Sequence, residues 1–183
     1  MRHTVLGIFL LSSACVLAAD QGGSWPARGV DYLLEDSQAR LWVFRFIEAN
    51  DGIGLYNFLR NNQPRLGWDF VLNNLRNNSG LTAFHRAVVQ TPRPNTYILG
   101  VLVHYGANPN LALDQDIDRR PFRQGQFYAG WTAAHMAERC GLSSELKSFL
   151  VNLGCDFDRR DTQGWTPAMV NKGKKHRKNK RRD

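Results

Sequence analysis

The sequence predicts an all-α fold, a short solenoid of about three stacked helix–turn–helix units behind an N-terminal helical cap. Three observations carry this expectation. Segments opening Gly80-Leu81-Thr82, Gly130-Trp131-Thr132 and Gly164-Trp165-Thr166 repeat one pattern, residues 102–110 and 150–158 repeat a second, and the two alternate along the chain. Such self-similarity marks architectures whose single unit cannot bury its apolar face without a neighbour. Residues 96–105 and 143–153 are apolar on most helical faces, which requires cover on more than one side. Finally, glycine and proline punctuate the chain between these segments, as helix stops and turn formers do.

The chain has 183 residues, 43% apolar and 22% charged, average for a globular protein, with three cysteines. That excludes a wholly disordered, collagen-like or disulfide-dense chain. The net charge of +8 is unevenly placed. Residues 172–183 contribute +7 and Arg2 one more, so 20–171 is neutral, with 15 basic and 15 acidic residues.

In chain order, Arg2 and His3 form a positive start, 5–11 is an unbroken apolar run, and Val16-Leu17-Ala18-Ala19 offers small residues for cleavage. Residues 1–19 therefore read as a signal peptide and the mature protein as secreted. The competing readings are an uncleaved anchor or a buried core helix. A lipid-modified Cys15 fits less well, because Ser12-Ser13-Ala14 lacks a large aliphatic residue. No other apolar run reaches the ~20 residues that span a bilayer. Residues 20–38 are expected to be a flexible leader.

Residues 39–79 read as a degenerate first repeat with a capping helix. Leu41, Trp42, Phe44, Phe46 and Ile47 lie in a helix over 40–49, and Leu55, Tyr56, Phe58 and Leu59 in another over 53–60, joined at Asn50-Asp51-Gly52. Trp68, Val71, Leu72 and Leu75 alternate at helical spacing with Asp69, Asn73, Asn74 and Arg76, an amphipathic helix over 67–77. Residues 80–171 carry the repeats. Thr82, Thr132 and Thr166 suit the N-cap, where a hydroxyl accepts from an unpaired amide. Pro167 sits at a first helical position, where a missing N–H costs nothing. Ala87 and Ala137 keep their helices slim. Thr91-Pro92-Arg93-Pro94-Asn95 separates the first helix from the second. Gly80 to Gly106 is 26 residues and Gly130 to Gly154 is 24, but Gly106 to Gly130 exceeds Gly154 to Gly164 by fourteen. The unit opening at Gly164 has only its first helix before the Lys-rich residues, so the array is truncated.

The motifs Thr-Ala-Phe-His over 82–85, Thr-Ala-Ala-His over 132–135 and Gly106-Ala107-Asn108-Pro109-Asn110 resemble the ankyrin repeat. The resemblance implies that connections between units project as β-hairpin fingers, the fourteen extra residues enlarging one of them, 111–129. It implies that His85 and His135 tie backbone to threonine hydroxyl. It also implies a concave binding surface made by fingers and first helices, with Trp131 and Trp165 exposed beside it.

No catalytic constellation is expected, and we read the chain as not an enzyme. His104 and His176 lack a carboxylate or thiol at useful spacing. Asp114, Asp116 and Asp118 alternate, but Arg119 and Arg120 follow where a calcium loop needs glycine. No metal and no cofactor are expected. Cys140 and Cys155 flank a predicted helix of about 15 Å, too far apart for a disulfide, so both are expected as free thiols.

Two function classes remain. The first is a protein-binding module using Arg119, Arg120, Phe122, Arg123, Phe127 and Tyr128 of the long finger with Trp131, Arg159, Arg160 and Trp165, since aromatics and Arg dominate interface hot spots. The competing reading is that Phe122 and Phe127 fold back onto the array. The second is polyanion binding, to a heparin-like glycan or nucleic acid, through Lys172, Lys174, Lys175, Arg177, Lys178, Lys180, Arg181 and Arg182. Residues 172–183, with no apolar side chain, read as a disordered basic tail. Three roles stay open for it: an anionic anchor, a solubility tail, or a nuclear signal acting in the nucleus of a recipient cell. Asn77-Asn78-Ser79 is a glycosylation sequon in a eukaryotic secretory context.

Overall fold

Two leucines that the sequence assigns to a leader are paired with the first helical hairpin. In the computed structural model, which describes residues 33–34, 36–64, 66–90, 93–117 and 126–170, Leu33–Leu34 (β1) forms a two-residue parallel ladder with Gln63–Pro64 (β2). The expected signal peptide over 1–19, most of the expected leader over 20–38 and the expected basic tail over 172–183 lie outside the described residues. Helix α1, Asp36–Glu48, begins before the expected leader ends at 38. Ser37 and Gln38 are exposed whereas Ala39 is buried, so a polar first turn reads as leader although it is helix.

The remainder is helical. Helix α2, Gly52–Asn61, is capped by Asp51, whose carboxylate accepts from the Gly54 N–H at 2.7 Å. Helix α3, Trp68–Asn74, is shorter than its apolar period suggests. Trp68 is buried there and donates its Nε1–H to the carbonyls of Leu59 and Asn62, each at 2.9 Å. Helix α4, Ala83–Val88, is capped by Thr82, and α5, Thr96–His104, by Asn95. Helix α6, Ala133–Cys140, stops at Gly141 in the left-handed conformation, and α7, Ser144–Asn152, is capped by Ser143. A last helical turn over 167–170 starts at Pro167. The helices pack in chain order: α1 on α2 and α4, α2 and α4 on α5, α4 on α6, and α6 on α7. Phe84, Ile98, Leu99, Leu102, Met136 and Leu150 are among the side chains with no more than 1% exposure in the single core. Among the described residues no helix is long and apolar enough to cross a membrane.

The motif glycines Gly80, Gly106, Gly130, Gly154 and Gly164 share φ between 81° and 93°, a range that disfavours any side chain. At Gly130 a Cβ would also lie 2.8 Å from the Thr162 side chain. The expected β-hairpin fingers are corrected. Among the described residues the connections are tight turns closed by Asn or Asp, and the long one holds a single antiparallel bridge between Ile117 and Phe127. Helix α7 also departs from expectation. Only Leu150 is buried in it, and Val151 is 53% exposed, because among the described residues no second helix follows on its far side. Trp42 is half-buried against Phe46 and Phe58, with the Arg45 guanidinium 5.0 Å from its ring, rather than sealed in the core.

Candidate functional site

Two histidines bind the successive units together. His85 Nδ1 lies 2.9 Å from Thr82 Oγ1 and its Nε2 lies 2.9 Å from the Leu111 carbonyl. His135 repeats this, with Nδ1 at 3.0 Å from Thr132 Oγ1 and Nε2 at 3.0 Å from the Trp165 carbonyl. A carbonyl only accepts, so Nε2 carries the proton in both rings. At His135 the Thr132 N–H donates to Nδ1 at 3.2 Å, which independently makes Nδ1 an acceptor. Burial pushes His85 down to about 4 and lowers His135 as well, so both rings are neutral at pH 7. Each ring nitrogen has its partner within the protein, which leaves none free for proton transfer to a substrate.

A second recurring bracket, unseen in the sequence, runs along the same edge. Asn73 Nδ2 donates to the Gly106 carbonyl at 2.8 Å while its Oδ1 accepts from the Asn108 N–H at 2.6 Å. Asn110 does the same one unit later, to the Gly154 carbonyl and from the Asp156 N–H, both at 2.7 Å. The only signal in the sequence was Asn110 itself, inside the recognised motif. Asn73 lies in a helix with no repeat motif around it.

The same logic locates the long insertion. The Asn77 N–H donates to the Leu81 carbonyl and the Gly80 N–H to the Asn77 carbonyl, and Asp161 with Trp165 and Gly164 repeats the pair. In the middle unit these bonds are Leu113 N–H to the Trp131 carbonyl and Gly130 N–H to the Leu113 carbonyl, both 2.8 Å. Gly80 and Gly164 follow their partners by three residues, Gly130 by seventeen. The fourteen extra residues are thus inserted at the tip of one turn, whose base keeps the geometry of its neighbours.

That placement corrects two expected binding residues. Phe127 is fully buried and Trp131 is 5% exposed. Trp131 stacks on His135 at 19° between planes, meets Phe127 and Tyr128, and donates Nε1–H to Asp161 Oδ2 at 3.1 Å. The insertion folds Phe127 down onto Trp131, so both rings belong to the core. Tyr128 is half-buried, Arg159 and Arg160 are exposed, and Trp165 is 43% exposed. Arg160 Nη1 donates to the Gly164 carbonyl at 2.9 Å, holding the guanidinium beside Trp165. Arg119, Arg120, Phe122 and Arg123, and the basic residues 172–182, lie outside the described residues.

The acidic run does not assemble a site. Asp114 pairs with Arg76 at 2.7 Å and Asp116 accepts from the Ala129 N–H at 2.8 Å, while Asp118 lies outside the described residues. Among the described residues no three His, Cys, Asp or Glu side chains are grouped to hold a metal. Cys140 and Cys155 are free. Cys140 lines a cleft of about 500 Å³ with Gln90, Arg93, Ser143 and Glu145, but burial pushes its thiol up to about 11. Burial takes Cys155 to about 12. Neither is a thiolate at neutral pH, so neither is an activated nucleophile.

The chain matches no protein-family model and no curated protein.

Proposed function

We propose that the chain is a secreted ankyrin-repeat protein that binds a protein partner and is not an enzyme. The observation that carries this reading is the repeated clamp, His85 to Leu111 and His135 to Trp165, in which one motif makes the same inter-unit bond twice. A stack locked in this way is a rigid scaffold that presents its turns along one edge. On that edge Trp165, Arg159, Arg160 and Tyr128 remain accessible; Arg119, Arg120, Phe122 and Arg123, expected to join them, lie outside the described residues. Rigid aromatics beside arginine supply binding energy at little ordering cost. Phe127 and Trp131 support the surface from beneath. The test is affinity capture with the purified protein, the protein lacking 172–183, and a Trp165→Ala/Arg160→Ala variant. A specific protein retained without 172–183 and lost by the double variant is the expected result.

The charge pattern favours a second contact. The neutral body and the +7 segment are separated in sequence, so the attraction to a polyanion is concentrated in residues 172–183. Loss of every partner when 172–183 are removed would make this the main activity.

A further inference from the structure

The turn that leads into α4 and the turn that leads into the last helical segment share one plan, built on Asn77 and on Asp161. Asn77 Oδ1 accepts from the Ser79 N–H at 3.0 Å and from the Leu81 N–H at 2.9 Å. Asp161 Oδ1 accepts from the Gln163 and Trp165 N–H groups, both at 2.8 Å. The turn therefore requires one side-chain oxygen at its first position, and a carboxylate supplies it as well as an amide. The second atom of each side chain is used differently. Asp161 Oδ2 accepts from Trp131 Nε1–H at 3.1 Å, which ties that turn to the preceding unit. Asn77 Nδ2 makes no hydrogen bond among the described residues, and neither does the Ser79 hydroxyl. Gln163 holds the position of Ser79 in the Asp161 turn, so the hydroxyl is not a requirement of the turn either.

The two groups that the turn leaves unused, an amide nitrogen at 77 and a hydroxyl at 79, are the two that N-glycosylation needs. Its acceptor is Asn-x-Ser/Thr with x other than proline. Asn77-Asn78-Ser79 is the single such triplet in the chain. Resting on the secreted reading above, we propose that Asn77 carries an N-linked oligosaccharide. The co-substrate is a polyprenyl-pyrophosphate-linked oligosaccharide of a eukaryotic secretory compartment. Nδ2 bonds to the anomeric carbon of the first sugar as the bond from that carbon to the pyrophosphate oxygen breaks. The lipid pyrophosphate leaves with the bonding electrons, and the proton lost by Nδ2 passes to solvent. The product keeps its carbonyl, so Oδ1 still accepts from residues 79 and 81. A planar amide sets the substituted nitrogen on the side of Cγ away from those bonds. Asn77 is half-buried and Asn78 exposed, and the folded turn carries the sugar without losing either bond.

The experiment expresses the full chain in cultured mammalian cells, once with its own N-terminus and once with residues 1–19 exchanged for an established secretory signal. Protein from medium and cells is examined by intact mass and peptide mapping, before and after peptide N-glycosidase, which leaves aspartate where a sugar is removed. In the chain with the exchanged signal, sugar at Asn77 is the expected result, and an unmodified Asn77 would overturn the proposal. Ser79→Ala should abolish the sugar and Ser79→Thr should keep it, since residue 79 gives the turn only its backbone N–H. Ser79→Ala should melt like Asn77→Asp, which keeps the turn as Asp161 does and also lacks sugar. Sugar that persists in Ser79→Ala would place it elsewhere and overturn the proposal. The chain with its own N-terminus tests the secreted reading separately. Its retention in the cytosol, with sugar only on the exchanged-signal chain, would overturn that reading and support Asn77 as the acceptor.

Discussion

The imidazole of His135 reaches 3.0 Å to the carbonyl of Trp165, thirty residues ahead, while its other nitrogen is held by Thr132. One side chain thereby caps a helix and fixes the next turn, and His85 does the same toward Leu111. The bond needs a neutral ring, because a proton on Nδ1 of His135 would confront the Thr132 N–H.

That requirement makes stability depend on pH. The folded His85 titrates near 4 and the unfolded ring near 6.5, with His135 shifted the same way. Above pH 6.5 both states are neutral and stability is undiminished. As pH falls toward 4 the unfolded chain takes up protons that the folded chain refuses, so stability declines. It levels off below the folded value. At ~1.4 kcal/mol per pH unit, His85 alone contributes a loss of about 3 kcal/mol. Urea melts at pH 7, 5.5 and 4.5 check this, and a flat profile would show that the rings are not buried neutral.

Trp131→Ala should lower stability by ~3–5 kcal/mol, as a core cavity does. Trp165→Ala should cost less than ~1 kcal/mol, because its ring is largely in solvent. Thermal melting of the two variants separates these outcomes.

Asn110→Ala removes both bonds to the next unit, at Gly154 and Asp156, and should cost about 1–2 kcal/mol given partial exposure. Asn73→Ala should resemble it. A double variant with Asp156→Ala, which keeps the backbone N–H that donates to Asn110 Oδ1, tests whether the loss lies in the bracket: the Asn110 effect should persist undiminished.

The two thiols should be unreactive to a disulfide reagent in the folded protein at pH 8 and fully reactive on unfolding without reductant. Fast reaction of Cys140 in the native state would contradict its burial.

Much of this arrangement is written locally in the chain. Thr82, Thr132 and Pro167 sit at helix starts and the motif glycines at left-handed turns, because capping and backbone sterics act within a few residues. The free cysteines follow from helix rise alone. What escaped depends on distant partners. Trp131 read as exposed because the Asp161 carboxylate that holds its indole comes from a turn thirty residues further along the chain. Helix α7 read as buried because its composition resembles α5, while exposure is set by whether another helix follows. The Asn73 bracket joins residues more than thirty apart and left no local trace. Of the binding residues, Trp165, Arg159 and Arg160 were legible as exposed turn residues, and Phe127 and Trp131 were misassigned for the reason just given.

The central claim, a protein partner held at the exposed turn around Trp165, is tested most directly by site-specific photocrosslinking. A photoreactive phenylalanine replaces Trp165 in one protein and Trp131 in another, and each is irradiated in a cell or tissue extract. Residue 165 should give an adduct of defined mass that excess unlabelled protein abolishes, and residue 131, sealed beneath Phe127, should give none. Adducts of equal yield from both positions, or none that the unlabelled protein competes away, would contradict it.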